Sequence, residues 1–307
     1  MAASVRRARL ALLIIAVAAL TGCGGDDGEG DGGASASELA VPWVDPDGEP
    51  PYIGSLSINP ADSSLFMGTN TGLFRIPDGG SEPEKVTGQL ETPDGSGQVS
   101  ESLVAQFTGP DTLIGSGHPS AGAALPPALG LIRSGDAGKT WESVSELGRV
   151  DFHALRQSGD RLVGALFGQA QVLVSGDEGR TWETRTAPMP LVDLALDPEN
   201  PDHWVGTAER GLFITTDGGQ SWRQRDPIPN IRLAWPAGGD LHRVEPGGPV
   251  NVSSDGGETW EDRGSTGGEP HAMTVAEDGT VYVALLDGTV KASTDGGQTF
   301  TDQVKGG

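Results

Sequence analysis

Five histidines stand in this 307-residue chain, and two of them, His153 and His271, fall at matching points of a recurring pattern. Ser55, Ser102, Asp193 and Arg232 occupy the corresponding points of its other copies. Two imidazoles, a carboxylate, a guanidinium and two hydroxyls converging on one spot could hold an anionic or hydroxyl-rich ligand, or a metal between His153, His271 and Asp193. A hydrated polar channel is the alternative. His118, in the long stretch Ser116 to Pro127, is a further polar contact for the same place. Asp193 with Glu101 would give a pair of carboxylates, the minimum for glycoside hydrolysis, provided about 5–9 Å separates them. No residue is assigned as catalytic, no cofactor is implied, and occupancy by a metal is open.

What must position these residues is a repeat. Ser134-Gly-Asp-Ala-Gly-Lys-Thr-Trp141 recurs as Ser175–Trp182, Thr215–Trp222, Ser253–Trp260 and Ser293–Phe300, with the aspartates 41, 40, 38 and 40 residues apart. A period near 40 marks a propeller or another stacked repeat. Within each octapeptide a carboxylate can accept the N–H groups of a tight turn and glycine supplies positive φ. The aspartates are therefore read as turn ties, and the closing aromatic as packing between repeats. Between octapeptides the chain alternates short apolar runs with Gly, Pro and Asp punctuation, four runs per repeat, as in Leu191–Leu196, His203–Thr207, Gly211–Thr215 and Gln220–Arg223.

The octapeptides resemble the Asp-box, or bacterial neuraminidase repeat, of sialidases, sortilin-type receptors and photosystem assembly propellers, over roughly residues 53 to 304. The expectation is an all-β, six-bladed propeller with four-stranded antiparallel blades and Asp-box hairpins, seven blades being the alternative. Strand-one starts are placed near Ile53, Ser102, Phe152, Val192, Ile231 and His271, and the first box is reduced to Pro77-Asp78-Gly79-Gly80. The innermost strands would bring the polar ring to one channel mouth, opposite the boxes. The stretch from Gly88 to Gln98 reads as a linker on that same face.

Phe74-Arg75-Ile76-Pro77 has the form of the sialidase F/Y-R-I-P motif, but it runs straight into the reduced box, out of the family's register. The mechanism the resemblance implies needs two more arginines and a tyrosine nucleophile, and the chain holds only Tyr52 and Tyr282. A binding or assembly module is thus the leading expectation, with carbohydrate or protein as partner, and a sialidase-like exo-glycosidase the alternative. Stretches such as Gly72-Leu-Phe-Arg and Asp151-Phe-His-Ala-Leu are similar to those of bacterial surface lipoproteins labelled sialidase-like or glycosylhydrolase-like.

The N-terminus is a basic segment with Arg6, Arg7 and Arg9, an apolar run from Leu10 to Leu20, and Leu20-Thr-Gly-Cys23. Eleven apolar residues are too few to span a bilayer. Leu-Thr-Gly-Cys resembles the bacterial lipobox, which implies a signal peptide over 1–22 and lipid on Cys23, the sole cysteine. Residues 23–52 then form an acidic, Gly-rich tether, and the protein would be extracytoplasmic, lipid-anchored to the bacterial cell membrane. The apolar Val41–Val44 island in the tether has two readings, an outer strand or a cover for a blade edge. A net charge of −23 repels nucleic acid and suits a soluble body above the membrane.

Overall fold

The computed structural model describes residues 51–306 except 87 and 94, with the side chains of Ser100 and Glu101 also outside the description. Cys23, the signal peptide and residues 23–50 of the tether, with the Val41–Val44 island, lie outside the described residues.

The described chain is all β. Strands β1(Ile53–Ile58), β2(Leu65–Thr69), β3(Gly72–Ile76) and β4(Glu84–Val86) form an antiparallel sheet in sequence order. Four further sheets repeat that order, β10–β13 (152–186), β14–β17 (191–226), β18–β21 (232–265) and β22–β25 (270–304), their inner strands being β10(Phe152–Ser158), β14(Leu191–Leu196), β18(Arg232–Ala234) and β22(Pro270–Val275). The fold is a propeller of four-stranded antiparallel blades.

The structure has five such blades, which corrects the expected six and the alternative seven. The unit expected as blade two closes on itself as a five-stranded barrel of β5(Gln89–Thr92), β6(Gly95–Gly109), β7(Thr112–Pro119), β8(Leu131–Ser134) and β9(Thr140–Ser145). The stretch read as a linker supplies the extra strand: β5 pairs antiparallel with β6 and parallel with β9. Gly95 and Gly97 make this possible, because a Cβ on either would collide with Ala124 or Ala123 of the loop that covers the hairpin.

Apolar clusters lie between successive units, and each octapeptide aromatic joins one. Trp141, 4% exposed, packs with Phe66 and Leu73 of the first blade and Leu113 of its own unit. Trp182, Trp222, Trp260 and Phe300 repeat this at the next four interfaces. The ring closes by face-to-face packing, Ile53, Leu56 and Phe74 against Ala272, Ala284 and Val290, with no strand exchanged between the first and last sheets.

The octapeptide turn works as its composition suggests. Asp136 Oδ1 accepts the Ser134 hydroxyl (2.9 Å) and the Thr140 N–H (2.8 Å), Oδ2 accepts the Thr140 hydroxyl (2.7 Å), and Ser134 Oγ accepts the Gly138 N–H (2.8 Å). The other four turns share this pattern. Hydrogen bonds from Thr181 and Ser221 hold Asp177 and Asp217 at about 2, well below the usual carboxylate range. These carboxylates are engaged within their own turns.

Candidate functional site

The inner strands are built around a repeated irregularity. In β1, β10, β14 and β22 the register to the second strand slips at one position, leaving Gly54, His153, Val192 and His271 as the extra residues. A bulge of this kind reverses which side later residues face. It separates two rungs that the sequence pattern merges: Ser55 and Asp193 pair with Gly68 and Thr207, one position beyond the bulge occupied by His153 and His271. It also brings Arg156 to the channel, although three residues from His153 would put it on the other side of a regular strand.

Ser55, His153, Asp193, Arg232 and His271 all line one narrow cavity of about 30 Å³ at the starts of the inner strands, together with Arg156. Ser102 is exposed in the irregular part of β6 with a φ of 49° and is not among its lining residues. His118 reaches the rim through a shared carboxylate: its Nε2 lies 3.4 Å from Asp151 Oδ2, and His153 Nε2 lies 3.2 Å from the same oxygen. His118 Nδ1 donates to the Pro127 carbonyl at 2.6 Å. Burial pushes Asp151 up, but the hydrogen bonds and charges of His153 and His118 bring it below its ordinary value. His271 is driven down to about 4, first by burial and then by the Arg232 charge, so it is neutral at pH 7. No group of three or more His, Cys, Asp or Glu among the described residues is arranged to hold a metal ion.

Several of these groups are engaged in joining blades. Asp193, 6% exposed, accepts Arg156 Nη2 (2.7 Å) and Leu194 N–H (2.8 Å) on Oδ1 and Leu233 N–H (2.9 Å) on Oδ2, linking three blades. Ser55 Oγ accepts the Ala105 N–H and donates to the Leu103 carbonyl. What remains open to solvent at this mouth includes three large apolar side chains. The exposed large hydrophobic side chains among the described residues are Tyr52, Phe167 and Leu286, at 51%, 64% and 55%. All three sit at strand-one starts: Asn70 donates to Tyr52, Phe167 to Asp151, and Leu286 to Glu269, each through the backbone at the equivalent corner. Tyr52 meets the His271 ring edge-on at 3.8 Å, and Phe167 stacks on His153 at 4.1 Å.

The opposite end of the channel is wider. A cavity of about 400 Å³ opens where the inner strands end, lined by Ser57, Gln106, Arg156, Gln157, Trp235 and Glu277 among others. Third strands run parallel to first strands and lead into the octapeptides, so this wide end shares their face. Arg75 lines neither end; its Nη2 donates to Asp62 at 2.7 Å and its Nε to Ser64 Oγ at 3.0 Å.

The sequence pattern assigns none of Arg156, Asp151, Tyr52 and Phe167 to this site. Arg156 is hidden by the bulge. Phe167 had a signal, a large apolar residue directly before Gly168 at a corner where polar residues are usual.

The fold and its ring of inner-strand ends define an all-β propeller. No protein-family model matches the chain. An oligoxyloglucan-reducing end-specific xyloglucanase of Emericella nidulans is 29% identical over 126 residues, covering 31% of this chain and 16% of that protein. An ancestral GH74 enzyme superposes with a TM-score of 0.51 at 15% identity, covering 84% of this chain and 38% of that one. YCF48 bound to a D1 peptide aligns over 62% of this chain and 64% of that one, at 20% identity and a TM-score of 0.42. The chain thus spans about a sixth of the curated xyloglucanase and under two fifths of the GH74 structure. The superposition carries the fold alone.

Proposed function

We propose that this protein is a lipid-anchored, extracytoplasmic binding propeller of the Asp-box kind, engaging a carbohydrate or a protein segment at the mouth formed by its strand-one starts. One observation carries the reading: the exposed large hydrophobics Tyr52, Phe167 and Leu286 surround that mouth, two of them laid against its imidazoles. Aromatic platforms beside a guanidinium suit sugars and peptides alike, since each ring offers an apolar face next to a polar partner. The anchor rests on the Leu20–Cys23 sequence.

Hydrolysis is the second reading, favoured by the partial likeness to a xyloglucanase. Two carboxylates must flank a scissile bond in the usual mechanism. At the narrow mouth Asp193 is saturated by three donors, and Glu277 is the one carboxylate among the described lining residues of the wide cavity. The side chain of Glu101 lies outside the described residues.

Glycan and peptide arrays probed with the full chain test binding, and Tyr52→Ser with Phe167→Ser is expected to abolish capture. Capture unchanged in that double variant would refute the site. Turnover of fluorogenic glycosides or xyloglucan oligosaccharides that disappears in Glu277→Gln would replace the binding reading. Metabolic labelling with an alkyne fatty acid should mark the full chain and fail in Cys23→Ser.

A further inference from the structure

The closing seam between β22–β25 and β1–β4 differs from the other interfaces in one respect. At three of the other five seams the second residue after the octapeptide aspartate nests between two blades: a Cβ on Gly138 or Gly179 would strike Leu73 or Leu131 of the preceding third strand, one on Gly257 would touch Ile214, and each would also approach Leu113, Leu162 or Leu241 of its own second strand. At the remaining two, Gly219 meets Trp204 of its own second strand and Gly297 meets Val250 of the preceding blade. In the first blade the corresponding turn has lost its anchors. Ile76 stands for the Ser/Thr, Glu82 for the later Thr and Pro83 for the aromatic, while Asp78 remains. A Cβ on Gly80 would accordingly approach only Pro77 and Ile76 of its own turn and one on Gly79 nothing, while the Gly80 carbonyl accepts Gln303 Nε2 across the seam.

The unfilled nest is a groove of about 320 Å³. Its apolar part is Leu65, Ile76 and Ala292, and Tyr282 lies alongside. Asp78 and Asp278 add two carboxylates, and no Lys or Arg lines the groove. In the intact turns the aspartate is saturated by its own Ser and Thr, whereas Asp78 makes no hydrogen bond among the described residues. Thr280, 7% exposed, lines the groove with a hydroxyl that has no partner among them, while its N–H donates to Asp278 Oδ1 and its carbonyl accepts the Ala276 N–H. Burial raises Tyr282, and the charges of Asp278 and Asp78 raise it further, so both carboxylates act on the same ring.

We propose that this seam groove is a binding site for a cationic side chain, an arginine or lysine presented by a partner peptide. The aliphatic stem would lie on Leu65 and Ile76, the head between Asp78 and Asp278 over the Tyr282 ring, with the Thr280 hydroxyl as a further acceptor. Neither carboxylate would be buried without a counter-charge, and the stem would restore the packing that the missing turn residues provide at the other seams.

The test is fluorescence anisotropy of the full chain with a labelled Gly-Arg-Gly-Arg-Gly peptide and its citrulline counterpart, which keeps the shape and removes the charge. Binding of the arginine peptide is expected, weakened at least tenfold by Asp78→Asn with Asp278→Asn and severalfold by Thr280→Val or Tyr282→Leu. Glu199→Gln with Asp240→Asn removes the same charge elsewhere and should change little. Equal binding of the citrulline peptide, no binding of either, or equal loss in the Glu199/Asp240 control would overturn the proposal, the last by showing diffuse attraction to an acidic surface. Asp78 and Asp278 are exposed, so the decisive variant does not depend on a buried substitution.

Discussion

Asp193 separates a structural role from a chemical one, and replacing it with alanine is the sharpest test. The carboxylate accepts two backbone N–H groups, of Leu194 and Leu233, both in residues at most 1% exposed, and one arm of Arg156. Asp193→Ala leaves both N–H groups without a partner, each costing about 1–3 kcal/mol. It also strands the partly buried Arg156 cation, and breaking a buried pair typically costs about 3–5 kcal/mol in total. The expected loss is therefore about 3–5 kcal/mol, read as a shift of the urea midpoint followed by tryptophan fluorescence, with a Tm fall of about 10 °C for a domain of this size. Asp193→Asn keeps one carbonyl oxygen and should lose roughly half as much. A loss under about 1 kcal/mol in Asp193→Ala would refute the view that this carboxylate ties three blades together. Unchanged stability with abolished turnover would make it a chemical group instead.

Other expectations follow from the same geometry. His271 has a folded value near 4 against about 6.5 for an unfolded histidine, so the unfolded chain binds its proton first; the stability is complete above about pH 6.5 and lost as pH falls towards 4, by about 3 kcal/mol. His271→Asn should flatten denaturation midpoints across that window, and an unchanged slope would contradict the assignment. Ala137 and Glu178 hold φ values of 58° and 61° where three other turns have glycine, so Ala137→Gly should be neutral to stabilising by up to about 1 kcal/mol in thermal melts, despite the entropy of glycine. Trp141→Ala should cost about 3–5 kcal/mol by opening a cavity between the first blade and the barrel unit, and a cost near zero would remove it from the interface.

Much of the propeller was legible because its signals are local. The octapeptide spacing, the Gly-Gly and Gly-Leu-Phe corners, and the apolar runs between them reflect turn chemistry and strand burial, which need no partner from elsewhere in the chain. The inner strands begin within a residue of their expected starts in the blades led by Ile53, Phe152, Leu191, Arg232 and Pro270. The expected unit at Ser102 failed because β5 finds both its neighbours, β6 and β9, only after the chain has folded back on itself. Nothing local distinguishes Gln89–Thr92 from a linker.

The candidate site was legible in its membership more than in its geometry. Five of the ring residues meet in one cavity, yet the pattern could not show that a bulge puts His153 and His271 on a different rung from Ser55 and Asp193. Nor could it show that Asp193 is spent on holding blades together, because its donors come from β10, β14 and β18. Sequence alone determined the turns, the repeat and the decay of the first octapeptide, since each is written in neighbouring residues. Only the tertiary structure decided the count of blades, the direction each polar side chain takes at a bulge, and which of the six seams is left unfilled, because all three depend on contacts between residues tens to hundreds of positions apart.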